Sequence, residues 1–386
     1  AILLPERDAL AHPELGPLVR KLFEESNNEG SASRGIKHIA PNLFIGGARR
    51  GYFNYSRHRK VLLVYAYTGA DEYFSEVAAE LLAHCESRGY QLNILSHRAI
   101  DSIGGAAFTA TPFGVVQRIL DLPGFTLEGG AMRRLRYQVT AFEKSGACTL
   151  AEYRCGTDPD VDRDIARVID SWCAGKTKVN PLVRSAREEI LAGTLHARHR
   201  LFLTRVDGVL QNVVLISPLS GSDNGYLMDL EFYGPEMPRG GLEFAIVRII
   251  ELLVAEGFTM LSLGGTYGVR LEPSPNADAE VDRILDDLHK QEIFNDQGNF
   301  QFKNKFRPQA QSIFLCRRAG CGNPDSVIDI IMMIADPVRM QTPDVENHTV
   351  LGAGGPAAPA LATGVGADAA NDADAAAKKK TPMSAS

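Results

Sequence analysis

A strand, a glycine-containing loop, a helix and a second strand follow one another between Tyr226 and Leu263, and this run limits the fold more than any other part of the sequence. Tyr226 to Tyr233 alternates in polarity, placing Asp229, Glu231 and Tyr233 on one strand face and Met228, Leu230 and Phe232 on the other. Pro235-Glu-Met-Pro-Arg-Gly-Gly then leads into apolar residues at 242, 245, 246, 249, 250 and 253, the spacing of a helix, closed by Gly257. Thr259 to Leu263 reads as the second strand. A helix between two strands is the crossover of a parallel pair, so the chain is α/β. Two carboxylates on one strand face mark either a solvent-facing strand or a site.

The same alternation runs through the rest of the chain. Leu43 to Gly47, Lys60 to Tyr67 and Gln91 to Ser96 read as strands, with Asp71 to Arg88 as a helix stopped by Gly89; Thr111 to Leu120 reads as a short helix. A second unit follows. Helices at Arg133 to Ser145 and Asp160 to Ala174 flank a strand at Thr149 to Arg154, and Asp207-Gly208 predicts a hairpin between Arg200 to Val206 and Val209 to Ile216. The expected domains are an N-terminal helix and polar linker over 1–34, one domain over 35–128, a second, catalytic domain over 129–340, and a disordered tail over 341–386 that is rich in Ala, Gly, Pro and Asp.

Composition excludes some classes. Among 386 residues, 41 basic against 47 acidic side chains give a net charge of −6, so nucleic-acid contact has to come from local patches. Two such patches exist: the basic residues of 131–205, and Lys303, Lys305, Arg307, Arg317 and Arg318, which face no acid between Gln297 and Pro324. The most apolar stretch, Leu242 to Phe258, is broken by Glu243, Arg248, Glu251 and Glu256, so no membrane span and a cytoplasmic location are expected. Six cysteines without a Cys-x-x-Cys pair point to reduced thiols and no metal site.

Met132-Arg-Arg-Leu-Arg-Tyr, the Asp-Gly hairpin, the Tyr226 to Phe244 run, Leu261-Ser-Leu-Gly-Gly-Thr and Phe302-Lys-Asn-Lys-Phe-Arg-Pro, in that order, resemble the catalytic domain of bacterial phosphatidylglycerol lysyltransferases and alanyltransferases. The resemblance implies two tandem N-acetyltransferase-like (GNAT) domains with mixed central sheets. It also implies an aminoacyltransferase that takes its amino acid from aminoacyl-tRNA as co-substrate, with no separate cofactor. The loop Glu236-Met-Pro-Arg-Gly-Gly lacks the spacing of an acyl-CoA pyrophosphate loop, which disfavours acetyl-CoA.

An aminoacyl ester is already activated, so the site needs a proton acceptor for the attacking group and donors for the oxyanion. Asp229 and Glu231 are the candidate base or ammonium anchors, with Lys305 as a third catalytic candidate. Tyr233, Gly264, Gly265, Thr266 and Lys303 are the candidate substrate contacts; Arg133, Arg136, Arg239 and Arg307 are the candidate tRNA contacts. The acidic segment 271–296 would repel anionic lipid, which favours a soluble small-molecule acceptor of the natural-product or antibiotic-biosynthesis kind. The alternatives are aminoacylation of a membrane lipid such as phosphatidylglycerol through peripheral contact, and a non-catalytic RNA- or ligand-binding module.

Overall fold

The computed structural model describes residues 1–26, 39–176, 179, 181–196, 198–219 and 224–340. The tail expected at 341–386 and most of the polar linker lie outside these residues. The chain opens with β1 (Ile2–Pro5), α1 (Glu6–Ala11) and α2 (Leu15–Glu25). Leu15, Val19 and Leu22 repeat at helical spacing and pack on Leu43 and Tyr52 of the next strands. β2 (Asn42–Ile45), β3 (Gly51–His58) and β4 (Val61–Gly69) form an antiparallel meander. A 3-10 turn at Asp71–Tyr73 enters α3 (Phe74–Arg88), which ends at Gly89 in the left-handed region (φ 63°), and β5 (Gln91–Ser96) returns parallel to β4.

After the short β6 (Ser102–Ile103) comes β7 (Ala106–Ile119), a strand where the sequence predicts a helix over 111–120. Strand wins because β7 lies in the middle of the sheet, buried along Thr111–Gln117, where neither face needs polar alternation. Thr109, Thr111, Val115 and Val116 suit the pleat. Pro112, which donates no hydrogen bond, is accommodated by a register shift that leaves Phe113 outside the ladder to β13.

The second half starts with α4 (Arg133–Glu143), β8 (Cys148–Tyr153), α5 (Pro159–Ala174) and α6 (Pro181–Leu191). Asp158 caps α5 by accepting from the Asp160 and Val161 amides, with Pro159 in the first turn. β9 (Arg200–Val206) and β10 (Val209–Pro218) meet at the expected hairpin, where Asp207 and Gly208 both have positive φ (49° and 81°). β11 (Gly225–Tyr233), α7 (Gly241–Ala255) and β12 (Met260–Tyr267) are the predicted parallel unit. The described chain ends with α8 (Ala279–Lys290), α9 (Gln297–Asn304), β13 (Gln309–Arg318), α10 (Ser326–Ala335) and α11 (Pro337–Met340).

These strands make one 13-stranded mixed sheet in the order β1-β2-β3-β4-β5-β13-β7-β12-β11-β10-β9-β8, with β6 paired to β7. The halves mirror each other: β4-α3-β5 matches β11-α7-β12, each a parallel pair with one crossover helix. Their closing strands are exchanged. β7 follows β5 in the chain but pairs with β12, while β13 follows β12 but pairs with β5. Among the described residues no helix is long and apolar enough to cross a membrane.

Candidate active site

β11 and β12 pair only at Gly225–Leu227 with Met260–Ser262, and beyond that the ladder ends. Two irregularities open the gap. On β11, Leu230 and Met228 pair with Leu215 and Ile216 of β10, so Asp229 is an extra, bulged residue. On β12, the register to β7 shifts between Ser262 and Gly265, with Gly264 at φ +78°. The bulge corrects the strict alternation expected from sequence: Leu230 and Phe232 pack with α5 and α6, whereas Met228 packs with α7. It also brings Asp229 and Glu231 to the wall of a cavity of about 820 Å³.

Of the predicted site residues, Asp229, Glu231, Gly264, Gly265 and Lys303 line this cavity. The Ser217 hydroxyl donates to Asp229 and fixes the orientation of its carboxyl group. Burial pushes Glu231 above the ordinary carboxylate range; the Lys303 ammonium opposes that rise, and the Asp229 carboxylate adds to it. Lys303 is almost fully buried. Its Nζ donates to the carbonyls of Gly265 (3.1 Å) and Gly264 (3.4 Å) and meets Thr266 Oγ1 at 3.1 Å. Lys303 therefore fixes the 264–266 backbone and biases Glu231 electrostatically, and Thr266 serves as its buried anchor.

The remaining candidates sit elsewhere. Lys305 is outside the cavity lining: its Nζ is 2.7 Å from Glu243 Oε1, and it stacks on Phe302, tying the end of α9 to the first turn of α7. Tyr233 ends β11 opposite Asn212, also outside the lining. The four arginines gather around α4. Arg133 is exposed on its first turn, Arg136 donates to the Leu127 and Gly129 carbonyls, Arg307 donates to the Ala131 carbonyl (3.0 and 3.2 Å), and Arg239 bonds Gln138 and stacks on Tyr137.

Sequence reasoning missed the opposite wall. Tyr65, Tyr67, Asp71 and 96–98 come from the first half, and Arg118 and Gln311 come from the central strands β7 and β13. Arg118 falls in the segment read as helix, and the others become neighbours only through the strand exchange. The acidic segment needs correction too. No residue of 271–296 lines the cavity; α8 packs Val281 and Leu285 on the sheet, and Arg270 pairs with Asp282 and Asp286. The acidic segment therefore presents no side chain to an anionic acceptor in the cavity. Among the described residues there is no group of His, Cys, Asp or Glu able to hold a metal ion.

The family model for the C-terminal part of phosphatidylglycerol lysyltransferase matches residues 42–317. The chain belongs to that family. The match to the phosphatidylglycerol lysyltransferase family spans both the carboxylate wall and the wall built by the first half, and membership makes this protein an acyltransferase. Solved structures share the fold. The C-terminal domain of a protein described as a lysylphosphatidylglycerol synthetase from Agrobacterium fabrum superposes with a TM-score of 0.64 at 17% identity, over 84% of this chain and 97% of that one. The L-PGS structure from Bacillus licheniformis gives 0.61 at 16%, over 84% and 98%. A conserved Bacteroides thetaiotaomicron protein of unknown function gives 0.56 at 10%, over 78% and 96%. No curated protein sequence matches the chain.

Proposed function

We propose that the protein transfers an aminoacyl group from the 3′-ester of an aminoacyl-tRNA to a hydroxyl of an anionic glycerophospholipid of the phosphatidylglycerol type. The observation that carries this reading is the pair of carboxylates, Asp229 and Glu231, on one cavity wall in a chain of the phosphatidylglycerol lysyltransferase family. Asp229, oriented by the Ser217 hydroxyl, anchors the α-ammonium of the aminoacyl group. Glu231, whose proton affinity is raised by burial, accepts the proton of the acceptor hydroxyl as its oxygen bonds to the ester carbonyl carbon. When the carbon–oxygen bond to the tRNA ribose breaks, the same proton passes to the departing 3′-oxygen, so Glu231 ends as it began. The ester supplies its own driving force, and no cofactor is needed.

The arginines around α4, Arg133, Arg136, Arg239 and Arg307, suit the phosphates of an acceptor stem, which bind by charge and without base specificity. Incubation with pooled radiolabelled aminoacyl-tRNAs tests the reading. One amino acid should move to phosphatidylglycerol vesicles, and RNase should abolish the product. Capture by soluble extract components alone would return the small-molecule acceptor to the front; no loss of any aminoacyl group would remove the transferase reading.

A further inference from the structure

Three cationic side chains besides the His97 imidazole line the cavity, and they are not equivalent. Arg98 is ion-paired with Asp71 at 2.8 Å. Lys303 is buried, donates to the Gly264 and Gly265 carbonyls, meets Thr266 Oγ1 and lies in the field of Glu231. Arg118 differs from both. Among the described residues its hydrogen-bonded partner is the neutral amide oxygen of Gln311, and no carboxylate lies within ion-pair distance. Gln311 is itself oriented, because its amide nitrogen donates to the His97 carbonyl at 2.9 Å. A guanidinium has five N–H donors, so a half-buried arginine held by one neutral bond keeps donors and a full charge for a ligand.

We infer that Arg118 binds the phosphodiester of the acceptor, a site that rests on the transferase reading above and gives it its selectivity for an anionic lipid headgroup. The placement favours the acceptor over the tRNA 3′ end. Arg118 and Gln311 belong to the central strands, and Gln311 is tied to the first half through His97. The arginines suited to tRNA gather around α4, and none of them lines the cavity. The cavity thus carries carboxylates on β11 and an arginine on β7. An acceptor with its phosphate on Arg118 presents its headgroup hydroxyl to the Asp229 and Glu231 wall. Neutral glycerolipids lack the charge that Arg118 selects.

The test compares wild type with Arg118→Gln and Arg118→Lys, all checked for equal thermal unfolding. Binding of glycerophosphoglycerol, the soluble headgroup, is measured by calorimetry without donor, and acceptor and donor KM are measured with phosphatidylglycerol in phosphatidylcholine vesicles. Loss of one charge-assisted contact should weaken headgroup binding and raise the acceptor KM roughly 10- to 100-fold in Arg118→Gln, with partial rescue in Arg118→Lys and an unchanged donor KM. A raised donor KM with an unchanged acceptor KM would assign Arg118 to the tRNA end and overturn the inference, as would equal headgroup binding by all three proteins. Headgroup binding that depends on Arg118 in a wild type that transfers nothing would keep the anion site and reject the transferase reading.

Discussion

Keeping Glu231 ionised costs the fold free energy, and that cost is what makes the residue useful. A carboxyl whose native pKa is raised favours the native state while it is protonated, below the ordinary glutamate value of about 4.3, and that contribution is lost as pH rises through the raised value. Glu231→Gln should therefore raise the unfolding temperature at pH 8 and change it little at pH 4, as calorimetry at the two pH values would read. The same substitution should lower kcat by roughly 10²- to 10⁴-fold and abolish the acidic limb of the pH–rate profile, which in wild type should lie above the usual carboxylate range. Gly264 carries a second prediction at this scale. Its φ is +78°, and an alanine methyl there would sit 3.5 Å from Leu227 Cδ1 and 3.9 Å from Lys303 Nζ, so the space exists but the backbone conformation is strained. Gly264→Ala should cost about 1–2 kcal/mol in denaturant titration. The residue types at both positions were legible in the sequence. The bulge was not, because an extra residue in a strand leaves the polar alternation unchanged to the eye while turning Met228 and Leu230 to opposite faces.

Among the elements, α9 shows how a basic motif divides its labour. Lys303 and Lys305 are two residues apart, so on a helical end they face different partners: one enters the cavity wall, the other pairs with Glu243 on α7. Glu243 is buried, and removing Lys305 alone leaves a carboxylate without its partner. Lys305→Met should destabilise the protein by about 3–5 kcal/mol, and the double variant with Glu243→Gln should recover most of that loss, with the remaining folded protein still active. Loss of turnover in the stable double variant would instead give Lys305 a chemical role. The helix–strand pattern of β11-α7-β12 was readable because capping, glycine stops and the 3.6-residue period agree there. β7 was not readable, since a strand buried on both faces has no alternation, and its apolar run is equally compatible with a helix.

At the scale of the molecule, charge and topology each set a test. Substituting Arg133, Arg136, Arg239 and Arg307 together by glutamine should weaken aminoacyl-tRNA binding and flatten its salt dependence, while glycerophosphoglycerol binding stays as in wild type; filter binding across a salt series measures the slope. The mirrored halves were partly legible, since each has its own β-α-β signature. The exchange of β7 and β13 was not, because nothing local in Gln309–Arg318 says that it pairs with β5 rather than with a neighbour in sequence.

That exchange also sets a timetable for synthesis on the ribosome. β5 is complete at Ser96, yet its partner β13 begins at Gln309, so the first half leaves the exit tunnel with an open sheet edge that must wait for nearly all of the second half to be made. During that interval the nascent chain has the exposed backbone of an unpaired strand, and its protection falls to chaperones or to speed of translation.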